Sequence, residues 1–297
     1  TQETSDTDDA KSNTFIIRDT NQKLHATTYD TVDTITFDSL DMDADTFAYH
    51  MTENTRIVLL TSDYASYTKS PKEIADLCTN DLHIEVMEGF RSDAFSKEYV
   101  QNITLWHTLE QADILFLTST LGYTRQFIGE RIIPKMSLPV PYRFTKMRGY
   151  PAFLVGAKSG QDYVLVTHAG RVSRIRVSDM PMLESRPVAV PMKGKIIGAM
   201  AVNPDDEILI ATQSAYAKRV RVNSIPYLSE MNTNGEKLSQ RSNPVYANRF
   251  DPQMPLFALT NYRILEMDTA NIPVADADKT DHKLLKLKKG ENLITLF

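Results

Sequence analysis

Residues 161–175 read QDYVLVTHAGRVSRI, and residues 206–220 read DEILIATQSAYAKRV. Each is an apolar run ending on a threonine, then a short turn-like interval, then a second run mixing apolar and basic residues. Such a pair of short runs around a turn marks a β-hairpin rather than an amphipathic helix. The pattern recurs at TRIVLLTSDYASYTK (55–69), ADILFLTSTLGYTRQ (112–126) and QMPLFALTNYRILEM (253–267). A sixth copy, SNTFIIRDTNQKLHA (12–26), has Arg18 in place of the threonine. The reference residues Thr61, Thr118, Thr167, Thr212 and Thr260 are 57, 49, 45 and 48 apart. A period of roughly 40–50 residues is that of propeller blades.

Every copy but the first is preceded by a further apolar stretch: FAYHM (47–51), NITLWHT (102–108), PAFLVGA (151–157), KIIGAMAV (195–202) and VYANRF (245–250). The stretch missing at the start stands at the far end as ENLITLF (291–297), with no hairpin after it. Closure of a ring by a C-terminal strand produces this offset, because a closed ring leaves no open sheet edge. The expectation is an all-β fold, a six-bladed β-propeller with units starting near residues 13, 46, 102, 151, 195 and 245. Residues 291–297 would complete the first unit by pairing with the strand of Phe15 and Ile17. Residues 1–12 read as an acidic disordered linker, as if the chain were cut from something longer. The best helical candidate is SPKEIADLCTN (70–80), where Ser70 can cap and Pro71 suits a first turn. It reads as an insertion in a blade.

The composition, 42% hydrophobic and 24% charged, supplies a sizeable core. No run of 18 apolar residues is present, so no membrane-spanning helix is expected. One cysteine, Cys78, excludes a disulfide framework, and an intracellular, cytoplasmic setting is the default expectation. The six histidines, His25, His50, His83, His107, His168 and His282, show no metal-ligand spacing. GYPAFLVGAKS (149–159) and GEKLS (235–239) break the spacing of a phosphate loop. Trp106 reads as core packing, and His168 as a turn residue. No catalytic residue, metal or cofactor is expected.

The net charge of −5 hides an asymmetry: residues 1–140 carry −12, residues 141–250 carry +8 and residues 251–297 carry −1. A local excess of this size can attract a polyanion from an acidic chain. The basic alternation KLLKLKKGE (283–291) reads as an exposed strand face able to extend such a surface.

The hairpins LTSTLGYTRQF (117–127), VTHAGRVSRIRV (166–177) and ATQSAYAKRVRV (211–222) resemble the blade motif of one family. It is the C-terminal domain of bacterial type IIA DNA topoisomerase A subunits, those of DNA gyrase and topoisomerase IV. The resemblance implies a β-pinwheel, a propeller variant that binds duplex DNA without sequence specificity and bends it around a basic rim. It further implies a nucleoid-associated domain, with the rest of an A subunit and its ATPase partner subunit as partners and neither a membrane nor a small-molecule substrate. The family's cleavage tyrosine lies in a domain absent here, so this chain is not expected to be an enzyme by itself. Seven places after the reference residue stand His25, Thr68, Arg125, Arg174, Arg219 and Met267. Three consecutive units thus carry an arginine, and equivalent places in neighbouring blades form an arc able to hold phosphates. With Arg171, Arg176, Lys218, Arg221, Lys193 and Lys195 nearby, these are the expected DNA-binding residues. The basic glycine-rich box of gyrase A subunits is missing, since residues 26–45 hold neither glycine nor a cation. A divergent or topoisomerase IV-like pinwheel fits better. The alternative is a propeller that serves as a protein-interaction platform, its acidic half docking a partner.

Overall fold

Runs such as Ile57–Thr61 and Asp162–Thr167 are buried at every position, so these strands are covered on both faces. β-Branched residues and leucine suit a strand packed on both sides. The computed structural model describes residues 13–20, 24–29, 34–36, 42, 46–51, 55–70, 73–74, 98–180, 188–189, 194–228, 234–238, 243–276 and 281–297. Among them the chain is all-β apart from a short helix, Gly129–Met136, two helical residues at 73–74 and single-turn 3-10 segments.

The first hairpin is β1 (Asn13–Arg18) and β2 (Leu24–Tyr29), followed by β3 (Thr34–Thr36). Next come β4 (Phe47–Met51) and the hairpin β5 (Ile57–Thr61) and β6 (Ala65–Lys69). The third unit is β7 (Val100–Leu105), β8 (Ile114–Ser119), β9 (Tyr123–Ile128) and β10 (Tyr142–Arg143). The fourth is β11 (Pro151–Ala157), β12 (Asp162–Thr167), β13 (Arg171–Arg176) and β14 (Val188–Ala189). The fifth is β15 (Ile196–Val202), β16 (Glu207–Thr212), β17 (Tyr216–Arg221) and β18 (Glu236–Lys237). The sixth is β19 (Pro244–Arg249), β20 (Phe257–Thr260), β21 (Arg263–Glu266), β22 (Val274–Ala275) and β23 (His282–Lys283). The last strand is β24 (Leu293–Leu296).

One pairing rule organises these strands into small sheets. The leading strand of each unit pairs with the first strand of the preceding hairpin, as β7 does with β5 and β15 with β12. The short trailing strand pairs with the second strand of that same hairpin, as β10 does with β6 and β18 with β13. Among the described residues each unit therefore gives its leading strand, and each but the second also its trailing strand, to its predecessor and keeps its hairpin. The rule also runs from the chain's end to its beginning: the sheet of β20 and β21 takes β24 on one side and β3 on the other.

This corrects the expected closure. Leu293 pairs with Thr260 and Leu296 with Ala258, while Phe15 and Ile17 pair within β1, β2 and β4. The C-terminal stretch is the missing strand, but it completes the last hairpin's sheet instead of the first. Neighbouring segments look like neighbouring strands in a sequence. Here the connection between a leading strand and its own hairpin crosses to the next sheet.

The sheets pack through apolar clusters filled from alternate positions. Val58 and Leu60 face Leu115 and Leu117, while Ile57 and Leu59 face Ile16 and Met51. The first and last sheets meet in a cluster of Phe15, Ile17, Phe257, Leu259 and Ile294. There Phe15 stands edge-on to Phe257 at 4.9 Å between ring centroids. Leading strands approach so closely that a Cβ on Gly198 would collide with the Ala247 carbonyl. Trp106 is buried in the core, as expected, with the Arg56 guanidinium 5.1 Å from its ring.

Of the helix expected over 70–80, only Glu73 and Ile74 are described as helical. Ser70 and Glu73 form a reciprocal cap: the Ser70 amide donates to Glu73 at 2.7 Å, and the Glu73 amide to Ser70 Oγ at 3.2 Å. The linker expected over 1–12 lies outside the described residues.

Candidate nucleic-acid interface

The hairpins turn on a hydroxyl. Thr61, Thr167 and Thr212 each accept from the amide four residues on, at 3.3, 3.3 and 3.2 Å. Their carbonyls also accept from Tyr64, Gly170 and Ala215, which take positive φ values of 63°, 72° and 56°. This is a type I turn closed by a left-handed residue, a common three-residue hairpin loop. In the third unit the hydroxyl in this role belongs to Ser119, which accepts from Tyr123 N at 3.2 Å, while its carbonyl accepts from Gly122 N. Thr118 instead meets Thr124 and the buried Tyr163 hydroxyl.

The reference position in that unit is therefore Ser119, and Gln126, not Arg125, is the equivalent of Arg174 and Arg219. LTST offers two hydroxyls, and only the turn's hydrogen bonds choose between them. Arg125 lies one residue out of register and is buried. The three-arginine arc reduces to Arg174 and Arg219.

Those two serve the fold. Arg174 is 4% exposed and pairs with Asp162 at 2.7 Å. It donates to the carbonyls of Val222 and Ile225 in the next unit and to the Tyr227 hydroxyl. Each of its donor groups is thus turned towards protein. Arg219 pairs with Glu207 at 3.2 Å and stacks on Phe250 at 4.6 Å. Lys218 is fully buried, with Asp281 at 3.6 Å. As phosphate contacts, Arg125, Arg174 and Lys218 are corrected: an alternating strand between packed sheets sends these side chains inward.

The remaining expected residues divide further. Arg176 is exposed, lies 4.0 Å from the Tyr227 ring and pairs with Asp179 at 3.5 Å. Arg221 is exposed and pairs with Asp276 at 3.7 Å. Arg171 is half-buried and donates to the Gly235 carbonyl at 2.9 Å. Lys195 is exposed at the edge of β15. Lys193 lies outside the described residues.

A second set of cations shares a register that the sequence did not show, although one of them, Lys283, lies in the basic alternation 283–291. Arg143 on β10 stands opposite Ala65, Lys237 on β18 opposite Arg171, and Lys283 on β23 opposite Tyr216. Ala65, Arg171 and Tyr216 are each the first residue of a second hairpin strand, so the three cations share one register on three outermost strands. All three are exposed. Arg143 is held by Asp63 at 2.7 Å, whereas Lys237 and Lys283 make no ion pair among the described residues. In the same register Ala189 stands on β14 and Thr36 on β3. Two-residue strands are too short for any periodicity, so nothing in the sequence marks these positions as equivalent.

Among the described residues no group of three or more His, Cys, Asp or Glu is arranged to hold a metal ion. No described helix is long and apolar enough to cross a membrane.

No protein-family model and no curated protein matches the sequence. Solved structures do. The chain is similar to a DNA gyrase A C-terminal domain, with a TM-score of 0.67 and 15% identity over 96% of this chain and 98% of that one. It is also similar to the C-terminal domain of a DNA topoisomerase IV, with a TM-score of 0.61 and 12% identity over 97% and 94% of the two chains. The likeness is one of fold, a propeller-like pinwheel of small sheets.

Proposed function

We propose that this chain binds duplex DNA without sequence preference and bends it around the outer edges of its sheets. It does so as the noncatalytic accessory domain of a type IIA topoisomerase A subunit. The observation that carries this reading is the shared register of Arg143, Lys237 and Lys283 on three outermost strands. Cations repeated from sheet to sheet along an edge match a phosphate backbone, which repeats as well. Each neutralised phosphate releases condensed counterions. Such contacts position a duplex without reading it. Bending a site of 20–30 bp costs on the order of 1–6 kcal/mol, which several contacts offset. Arg176, Lys195 and Arg221 add exposed charge to the surface, and Lys193 belongs with them by sequence.

In this reading the sheets stand as six blades of a closed ring. The six inter-sheet clusters support that, since they join the sheets in succession and the last joins the first. The absence of the basic glycine-rich box from 26–45 favours weaker wrapping than a gyrase-type domain gives. The setting is the bacterial cytoplasm beside the nucleoid, with the rest of an A subunit and its ATPase partner subunit as protein partners.

Fluorescence anisotropy with labelled duplexes of unrelated sequence tests the proposal. The expected affinities are alike across sequences and fall with salt, the log–log slope being about 0.9 per phosphate neutralised. Absence of binding, or binding indifferent to salt, overturns the reading in favour of a protein-interaction platform.

A further inference from the structure

Residues 283–291 read in the sequence as an exposed strand face, but over 281–291 only His282 and Lys283 pair as a strand. The rest is a strap without regular structure, laid from the turn of the β16–β17 hairpin towards that of β20–β21. It is fixed at several points. The Leu284 amide donates to the Ala215 carbonyl at 2.8 Å. Leu284, Leu285 and Leu287 pack on the cluster between the two sheets. Asp281 anchors the near end on buried Lys218 at 3.6 Å. At the far end Glu291 accepts from the Lys288 amide at 2.7 Å and from Arg263 at 2.7 Å.

With its leucines turned inward, the strap leaves Lys283, Lys286, Lys288 and Lys289 exposed. None of the four makes an ion pair among the described residues. Elsewhere the exposed cations are often neutralised on the spot: Arg143 and Lys146 by Asp63, Lys158 by Asp113, Arg176 by Asp179 and Arg221 by Asp276. The acidic residues flanking the strap, Asp281 and Glu291, are buried and spent on Lys218 and Arg263. Residues 251–297 sum to −1, yet residues 282–290 hold four lysines and no acidic residue.

We infer that the strap is a pinned cationic ridge that carries duplex phosphates across the gap between the β16–β17 and β20–β21 sheets. It continues the track that Lys237 and Lys283 begin, and it rests on the DNA reading proposed above. Pinning matters because a ridge already held in place loses little conformational freedom when a phosphate binds.

The test is anisotropy with the full chain across a salt series, comparing two variants. Replacing Lys286, Lys288 and Lys289 together by Gln removes three charges from the ridge and no packing. Duplex affinity is expected to fall about tenfold or more, and the salt slope by up to about 2.7, at about 0.9 for each phosphate no longer neutralised. The melting temperature is expected to stay put. Glu291→Gln removes a negative charge but loosens the far pin. Net charge alone predicts tighter binding for it; the pinned ridge predicts weaker binding at an unchanged cation count. A triple variant that binds as the parent does overturns the ridge and leaves the DNA reading standing. A Glu291→Gln chain that melts like the parent but binds more tightly overturns the pinning. Failure of the parent to bind any duplex overturns both readings. Tighter binding of the parent to phosphatidylserine vesicles than to duplex overturns the ridge as a DNA contact and assigns it to a lipid surface.

Discussion

Arg174 and Lys218 lie on the hairpin strands of adjacent sheets, and Lys237 and Lys283 on the outermost strands of those same two sheets. The first pair is buried, each with a carboxylate: Asp162 for Arg174 and Asp281 for Lys218. The second pair is exposed and without a described counter-ion. Residue type and local sequence do not separate the two pairs. Position across the sheet does. A cation between packed sheets must bring its own anion, because an unpaired buried charge costs several kcal/mol. A cation on an outer edge stays hydrated and is free to exchange its counterions for phosphates.

The sharpest break between core and edge is expected at the chain's end. Deleting residues 293–297 removes Leu293 and Leu296 from one inter-sheet cluster and Ile294 and Phe297 from the next. At about 2–5 kcal/mol for each buried leucine removed, the deletion approaches a total stability of roughly 5–15 kcal/mol. Thermal melts followed by circular dichroism should lose their cooperative transition. A melt like that of the intact chain would deny β24 its structural role.

Arg174→Met should come next, destabilising by about 3–5 kcal/mol because Asp162 is left buried without its partner. Urea titration measures this, and duplex affinity of the folded variant should match the parent's. A large loss of affinity at unchanged stability would return Arg174 to the proposed DNA surface.

Lys237→Glu combined with Lys283→Glu should do the reverse. Stability should stay within about 0.5 kcal/mol, as for ordinary surface changes, while duplex affinity falls about tenfold or more. Equal stability and equal affinity would remove the shared register as the carrier of DNA binding.

The smallest expected effect lies at the seam between the first and last sheets. His50 sits 4.8 Å from the Phe257 ring and 5.4 Å from the Phe15 ring. Burial holds its pKa below the ordinary 6.5. The unfolded chain then takes up a proton before the folded one does. His50 therefore contributes stability that is complete above about pH 6.5 and is lost as pH falls below it. Urea midpoints measured from pH 7.5 to 5 should decline, and His50→Gln should flatten the decline. An unchanged slope in that variant would place the pH response elsewhere.

Glu291 is shifted in the same direction, but there the fold favours the charged form instead of the neutral one. Burial pushes its pKa upward, but hydrogen bonds from Arg263, the Lys288 amide and Thr260 outweigh this and hold it below the ordinary range. The far pin of the strap is accordingly kept at neutral pH and lost only in acid.

How far the sequence reads depends on how long each signal is. Five of the six hairpins carry four to six residues per strand and a hydroxyl at the turn, enough to fix the repeat and its period. The leading strands were equally visible as apolar runs, yet their sheet membership was not. β15 borders the hairpin of its own unit and that of the unit before with equal apolar character, and the long connection was the one that paired. The register slip at Thr118 had a local cause, two adjacent hydroxyls of which one makes the turn. The short helix Gly129–Met136 went unread, with Pro134 inside it.

The sequence by itself determined the class: six hairpins, a period, a C-terminal strand without a hairpin, and a basic region after residue 140. These are properties of short contiguous segments, where alternation and turn chemistry act on neighbours. Tertiary structure alone decided which charges face water. Arg174 and Lys218 acquire their anions from residues 12 and 63 positions away, Asp162 and Asp281. Arg143, Lys237 and Lys283 become equivalent only because two-residue strands from three different units dock in one register. Burial and counter-ion are set by segments distant in the chain, so charge, the quantity that matters most for a DNA surface, is the one that sequence order conceals.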